Sequence, residues 1–508
     1  MINDNKMGGK VLASGGFGCV FSPALKCEGT KKRETNRISK LMTEKHTLKE
    51  YEEIEKVKSK IKNIPDYLDY FLINDITICK PEKLTKIDLK LYKKKCKALP
   101  RDSIYENNIN KSLNKLLILN MPNGGLPIDD YNYLNGSFDK WYKTSNSLIK
   151  LLKNGIIPMN KQNYFHCDIK DSNVLIDETN NKFKTRLIDW GLSTEYIPFK
   201  EEAIPKTWFN RPLQFTVPFS VILFTEDFDS RYTKYIEKVG EIDDDSLRPF
   251  VINYIFFWFK KRGPGHYKFI NEIFYILFSN DIEFENDNED VKMKIIENEF
   301  TIVYISNYII HILKKYTYLR NNKVVIKLRE YLDNVFIHIV DIWGFILCYF
   351  PLLETLFSNY KNLTPIQHKM FVSIKNIYIT YLYTPRIEPI EINKLINDLQ
   401  DLTLLIDNEK NTNISSSISS SSNKSSSNKS SSNKSSSNKS SSNKSSSNKS
   451  SSSNTKSKTN KASITKSSTN KARGIKSHRK TSKNFFIKSS KKKLRNKNNL
   501  FLLSQIKK

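Results

Sequence analysis

The residues of this chain best suited to chemistry lie in one short run, His166-Cys167-Asp168-Ile169-Lys170-Asp171-Ser172-Asn173, followed by the strand-like Val174-Leu175-Ile176. Asp168 and Asn173, five residues apart on one loop, can divide labour. The carboxylate accepts a proton from an attacking hydroxyl while the amide holds a divalent cation. Leu187-Ile188-Asp189-Trp190-Gly191 places a second carboxylate 21 residues beyond Asp168, again after an apolar strand. Phosphoryl transfer asks for such a set, because a magnesium ion must bridge phosphate oxygens while a base aligns the nucleophile. Single loop aspartates usually do no more than solvate turns, but an ordered base, amide and second acid is a poor match to that reading.

Nearer the start, Leu12-Ala13-Ser14-Gly15-Gly16-Phe17-Gly18-Cys19-Val20 sits between two β-like segments. Glycines there let backbone N–H groups approach phosphate oxygens where a Cβ would obstruct them, although the same stretch also reads as an ordinary hairpin. Lys40, in Arg37-Ile38-Ser39-Lys40-Leu41, is flanked by apolar residues on a strand expected to face inward; a solvated surface lysine is the plain alternative. A buried ammonium needs an anionic partner. Glu50 is the choice by spacing, since it lies four residues before Ile54 and seven before Val57 and so borders an apolar stripe, with Glu53 as the fallback.

The elements that must position these groups are legible in outline. Residues 10 to 42 read as three short β segments, and Leu48 to Ile64 as an amphipathic helix with Tyr51, Ile54, Val57 and Ile61 on one face. Leu116-Leu117-Ile118-Leu119 predicts a strand that runs into the turn-like Pro122-Asn123-Gly124-Gly125, which resembles a hinge. A helix is expected over 137 to 158, short strands at 174 to 176 and 186 to 188, and a large aromatic-rich helical region over 245 to 385. Val251 to Phe259 is apolar nearly all round, which predicts a fully buried helix. Strands first and helices later point to an α+β protein with two unequal lobes.

Of the 83 Lys and Arg residues, 24 fall between Asn413 and Lys508, together with none of the 53 Asp and Glu; the formal charge of +30 is therefore mostly a property of the tail. The SSSNK unit recurs from Ser415 to Ser453 and has nothing to bury, so this tail is expected to stay unfolded. A polycation of this kind would bind nucleic acid or an anionic surface with salt-sensitive affinity, and a solvated expansion with no partner is the plain alternative. Lys491-Lys492-Lys493-Leu494-Arg495 and Leu500-Phe501-Leu502-Leu503 join charge to an apolar cluster. Six scattered cysteines without a C-x-x-C pair argue against a zinc module or a disulfide framework and fit an intracellular setting. No stretch reaches the ~18 uninterrupted apolar residues of a membrane span.

In these motifs the chain resembles the eukaryotic-type protein serine/threonine kinase family, most closely the divergent kinases of large DNA viruses, over residues 10 to about 350. The resemblance implies a bilobal protein-kinase-like fold: a small mostly-β N-lobe (1–120), a large mostly-α C-lobe (121–411) with a helical insertion near 221–335, and a disordered tail (412–508). It implies ATP with Mg²⁺ or Mn²⁺ as cofactors, protein substrates presenting Ser or Thr, and a place in a host cytoplasm or virion. Residues 12 to 20 would cover the nucleotide, and Lys40, paired to Glu50, would hold its phosphates. Asp168 would be the base, Lys170 would contact the transferred phosphate, and Asn173 and Asp189 would hold the metal. Asp341-Ile342-Trp343 resembles the D-x-W of the family's buried central helix, whose Asp braces the catalytic loop.

Several positions depart from that pattern. Ala13 replaces the first loop glycine, Trp190 replaces the usual Phe, and no A-P-E is visible near Arg211-Pro212-Leu213-Gln214-Phe215. Cys167 replaces the arginine that normally precedes the base, so the basic pocket that reads a phosphorylated activation loop is missing and activity without that phosphate is expected. Asp189 and Asp341 lie 152 residues apart, which implies an insertion of roughly 100 residues on the substrate-facing side. Two alternatives stand beside this reading: a small-molecule kinase of the aminoglycoside or choline type, and a non-catalytic pseudokinase scaffold.

Overall fold

The computed structural model describes residues 9–131, 138–179, 183–200, 203–284, 288–321 and 323–422, with side chains to 411. The SSSNK repeat and the basic and apolar terminal clusters lie outside the described residues. The protein is mixed α+β, strand-rich at first and helical later.

Strands β1 (Lys10–Ser14), β2 (Gly18–Ser22) and β3 (Arg37–Thr43) form where the three short β segments were expected, and α1 (Glu44–Ile61) follows β3 directly. α1 buries Ile54, Val57 and Ile61, the expected stripe. β4 (Thr77–Cys79), a one-turn α2 (Tyr92–Lys95) and β5 (Leu116–Pro122) complete an antiparallel five-stranded sheet in the order β1-β2-β3-β5-β4. Residues 80–115 cover one side of it. Leu84, Tyr92, Cys96, Leu99, Ile104 and Ile109 pack with Val11, Cys19, Phe21, Leu41 and Ile118 in a core cluster of their own. Asp88 pins this cover to the sheet, accepting from Gly9 N–H at 2.7 Å and pairing with Arg33 at 3.0 Å.

The sheet corrects the cysteine expectation. Cys19 is bonded to Cys96 and Cys27 to Cys79, across 77 and 52 residues of sequence. Spacing rules detect only local pairs, whereas these partners meet through sheet pairing and the cover.

After the turn at Asn123–Gly125, β6 (Leu126–Pro127) joins β8 (Val174–Asp177) and β9 (Lys184–Leu187) in a three-stranded sheet. Between them α3 (Phe138–Lys150) continues through a π-helical turn into α4 (Ile157–Lys161), and β7 (Tyr164–Phe165) pairs with β10 (Thr194–Glu195). Helices α5 (Glu226–Val239), α6 (Asp244–Arg262), α7 (Tyr267–Phe278), α8 (Glu289–Ile296) and α9 (Ile302–Tyr316) follow, then a hairpin of β11 (Thr317–Arg320) and β12 (Lys323–Ile326) that the sequence did not announce. α10 (Leu328–Tyr331), α11 (Ile337–Ile346), α12 (Phe350–Ser358), α13 (Pro365–Tyr378) and α14 (Ile392–Ser422) complete the described part; the backbone of α14 runs ten residues past the expected boundary at 412.

Sequence stops and starts are chemically ordinary. Thr225 caps α5, Asp243 and Ser246 form a capping box on α6, and Gly240 ends α5 at φ +76°. α6 is not buried all round: Val251, Tyr254, Ile255 and Trp258 are, but Phe256 is 51% exposed. A surface helix can carry isolated aromatic residues, so composition alone overstated its burial. The run Leu328–Ser358 is long and apolar enough to cross a membrane, yet 94% of its most apolar window is buried inside the protein, where it forms the core around Trp343.

Candidate active site

Lys40 stands mid-strand in β3, in register with Val20 of β2 and Leu119 of β5, and its side chain is only 12% exposed. Because α1 springs directly from β3, its second turn returns over the strand. Lys40 Nζ donates to both Glu50 oxygens, at 2.6 and 2.7 Å. Burial alone would depress this ammonium, but Glu50, then Asp189 and Glu53, outweigh it and hold Lys40 above the ordinary lysine range. Glu50 is thus the partner, as spacing predicted. Glu53 pairs with Lys49 at 3.5 Å; burial, aided by Glu50 and Asp189, raises its carboxyl against that lysine.

The loop Gly15-Gly16-Phe17 joins β1 to β2, with Gly15 N–H donating to the Gly18 carbonyl at 2.9 Å. A Cβ on Gly15 would stand 3.4 Å from Lys40 Cε, so the loop lies over the lysine. Gly18 is required for packing, since a Cβ there would meet Met42 Cγ at 2.2 Å and the Leu41 carbonyl at 2.7 Å. Leu12, Ala13, Gly16 and Phe17 are exposed, and Phe17 stacks on His46 at 4.4 Å. Two expected nucleotide contacts are engaged elsewhere. The Cys19 side chain is fully buried in its disulfide, and Ser14 Oγ accepts the N–H groups of Lys97 and Ala98 at 3.0 Å each, so both serve the cover of the sheet.

Asp168 follows β7, on a loop braced from beneath by α11. The buried Asp341 accepts from His166 N–H at 2.8 Å, Cys167 N–H at 2.7 Å and Asn160 Nδ2 at 2.7 Å. Asn173 Nδ2 donates to the Asp168 carbonyl at 2.8 Å and to Oδ2 at 3.1 Å, and Lys170 Nζ reaches the same Oδ2 at 2.8 Å. Asp168, Asn173 and Lys170 therefore meet. The Asp189 segment is fastened to this loop: Ile188 N–H donates to the Asn173 carbonyl at 3.0 Å, and His166 Nε2 bonds the Ile188 carbonyl at 3.0 Å. His166 is structural, as its position beside the loop suggested. Asp189 itself takes φ +65°, and Trp190 is buried against Phe71 and His166.

Three contributors were not visible in the sequence. Thr216 Oγ1 donates to Asp168 Oδ1 at 3.1 Å, Trp208 Nε1 donates to Cys167 Sγ at 2.9 Å, and Arg211 donates to the Cys167 carbonyl at 3.2 and 3.3 Å. All lie in the stretch where no A-P-E could be found, and no residue pattern in a single sequence marks them. Beside the loop, burial first, then Asp129 and Glu354, pushes the Asp171 carboxyl up to about 7.

Two oxygen acceptors stay open beside this cluster. Asn173 spends only its Nδ2, leaving Oδ1 for a cation, and the exposed Asp189 carboxylate makes no hydrogen bond or ion pair among the described residues. Among the described residues no group of three or more His, Cys, Asp or Glu side chains could hold a metal alone. No protein-family model matches the chain, and no curated protein matches its sequence.

Proposed function

We propose that the chain is an ATP-dependent protein serine/threonine kinase with a bilobal kinase-like fold. The observation that carries this reading is the convergence on Lys40: a lysine from β3, a glutamate from α1, a glycine loop lying over it so closely that a Cβ on Gly15 would touch Lys40 Cε, and the field of Asp189 from a distant loop. A purely structural ion pair would have no use for an acceptor-only carboxylate left open beside it.

Lys40, oriented by Glu50, would hold the nucleotide's phosphates, and the Gly15–Gly18 backbone would close over them. Asn173 Oδ1 and Asp189 would hold magnesium, which when bound neutralises charge on the phosphates. Asp168, positioned by Asn173, Lys170 and Thr216, would orient the acceptor hydroxyl and take its proton. Lys170, bonded to the same Asp168 oxygen as Asn173, would meet the transferred phosphoryl group and offset its negative charge.

The test is phosphorylation of a generic basic protein with labelled ATP, wild type against Asp168→Ala, beside a panel of small-molecule acceptors. A loss of ~10³-fold or more in turnover is expected for the variant. Equal turnover would refute the assignment, label appearing only on small molecules would favour a small-molecule kinase, and nucleotide binding without turnover on any acceptor would favour a scaffold.

A further inference from the structure

We propose that Arg211 is a positioning residue for the Asp168 loop, and that with Trp208 and the α6–α7 turn it keeps the segment 208–216 assembled without a phosphate group. This rests on the kinase reading above and concerns how that site is regulated.

Arg211 is 6% exposed. Its two terminal nitrogens donate to the Cys167 carbonyl, and its Nε donates to Gln214 Oε1 at 2.5 Å. Neither acceptor is a carboxylate, and among the described residues no ion pair forms on this guanidinium. Burial works against the charge on Arg211 and the field of the nearby Asp168 carboxylate offsets it only in part, so with no direct ion pair a purely structural role would be served as well by a neutral side chain.

The carbonyl it grips belongs to the residue just before Asp168. Cys167 has φ +62°, a left-handed conformation that a non-glycine residue keeps only where its surroundings fix it. Every polar group of Cys167 is taken: N–H by Asp341, carbonyl by Arg211, sulfur by Trp208. Rotation of that peptide would swing Asp168 away from Asn173 and Thr216, so the grip on Cys167 sets the direction of the base.

The segment that carries Arg211 is itself held from behind by α6 and the turn after it. Trp258 Nε1 donates to the Arg211 carbonyl at 2.9 Å, Arg262 Nε to the Asn210 carbonyl at 3.0 Å, and His266 N–H to the Leu213 carbonyl at 2.9 Å. Gly265, at φ +57°, lets the turn close, since a Cβ there would fall 2.0 Å from the Leu213 carbonyl oxygen. The helical insertion thus buttresses the segment, and the segment's arginine holds the loop. The missing arginine before the base is replaced by one that reaches in from the other side.

The experiment uses full-length protein, as isolated and after phosphatase treatment checked by intact mass. Wild type, Arg211→Gln and Arg211→Lys are compared for thermal midpoint, Kd for ATP with magnesium, and kcat and KM on a basic protein. Dephosphorylated wild type is expected to keep full turnover. Arg211→Gln is expected to lose roughly 30-fold or more in kcat with its ATP Kd within about twofold, and Arg211→Lys to recover about tenfold by donating to the same carbonyl. Should Arg211→Gln fail to fold, Trp208→Phe removes the bond to Cys167 Sγ while keeping an aromatic ring against Phe165, Tyr196 and Phe336, and is expected to lower kcat about three- to tenfold at unchanged ATP Kd. A glutamine variant within threefold of wild type in kcat, or one whose kcat, ATP affinity and midpoint fall together without rescue by lysine, would overturn the positioning role. Turnover lost only on dephosphorylation would overturn the phosphate-free clamp. Turnover absent both before and after treatment would remove the kinase reading itself and this proposal with it.

Discussion

Replacing Asp341 by asparagine tests the brace under the Asp168 loop with little change of shape. In the native protein its Oδ2 accepts two donors, His166 N–H and Asn160 Nδ2, while Oδ1 accepts Cys167 N–H. Asparagine has one oxygen, and its better orientation keeps the two donors of Oδ2. Those bonds become neutral, each weaker by ~1 kcal/mol, and the amide NH₂ then faces Cys167 N–H, whose loss of a buried partner costs ~1–3 kcal/mol. The expected destabilisation is ~3–5 kcal/mol, or about 3–6 °C in the thermal midpoint of a unit this large. Because the orphaned N–H adjoins Asp168, kcat should also fall by about 10²-fold at nearly constant ATP affinity. Scanning calorimetry and steady-state kinetics on one preparation measure both. A variant within ~1 °C of wild type and with unchanged kcat would show that Asp341 carries no such strain and that the loop is held by something else.

Two further outcomes follow from the geometry. Asp171 is held protonated to about pH 7 in the folded state, whereas an unfolded aspartate ionises near 4, so the folded form binds the extra proton in between and stability falls as pH rises from about 4 to 7. Asp171→Asn should remove most of that fall, gaining on the order of 1–3 kcal/mol at pH 8 relative to wild type and little at pH 4.5; parallel midpoint-against-pH curves for the two proteins would refute this. Gly265→Ala combines a left-handed backbone with a Cβ at the Leu213 carbonyl, so the turn must retreat; a loss of ~2 kcal/mol or more and a raised KM for protein substrate are expected, and a wild-type urea midpoint would contradict it.

Much of the strand-rich region could be read in advance because its signals are local. Short β segments broken by glycines marked β1 to β3, the helical stripe marked α1, and its place bordering that stripe selected Glu50 over Glu53. The run His166 to Asn173 was legible because Asp168, Lys170 and Asn173 lie within six residues. What escaped notice depends on partners far apart in the chain. Residues 80–115 look like a lysine-rich loop, since their few anchors, Leu84, Tyr92, Leu99, Ile104 and Ile109, follow no period; only the sheet they cover gives them meaning. Arg211 resembled any loop arginine until Cys167 was placed beneath it. The hairpin at 317–326 was lost in a helical neighbourhood, with no glycine pair or Asn-Gly to mark its turn.

The two disulfides gather in the first hundred residues, one leaving β2 four residues after Gly15, the other tying the loop before β3 to β4. Rings of 77 and 52 residues each remove ~4 kcal/mol of chain freedom from the unfolded state in the loop-entropy picture. Opening them would spend that advantage wholly on the strand-rich region, leaving the aromatic packing around Trp343 as it was. Resistance to heat in this region thus depends on the thiol chemistry of the surroundings as well as on the chain, and two samples of identical sequence kept with and without a reductant are, in that respect, different materials.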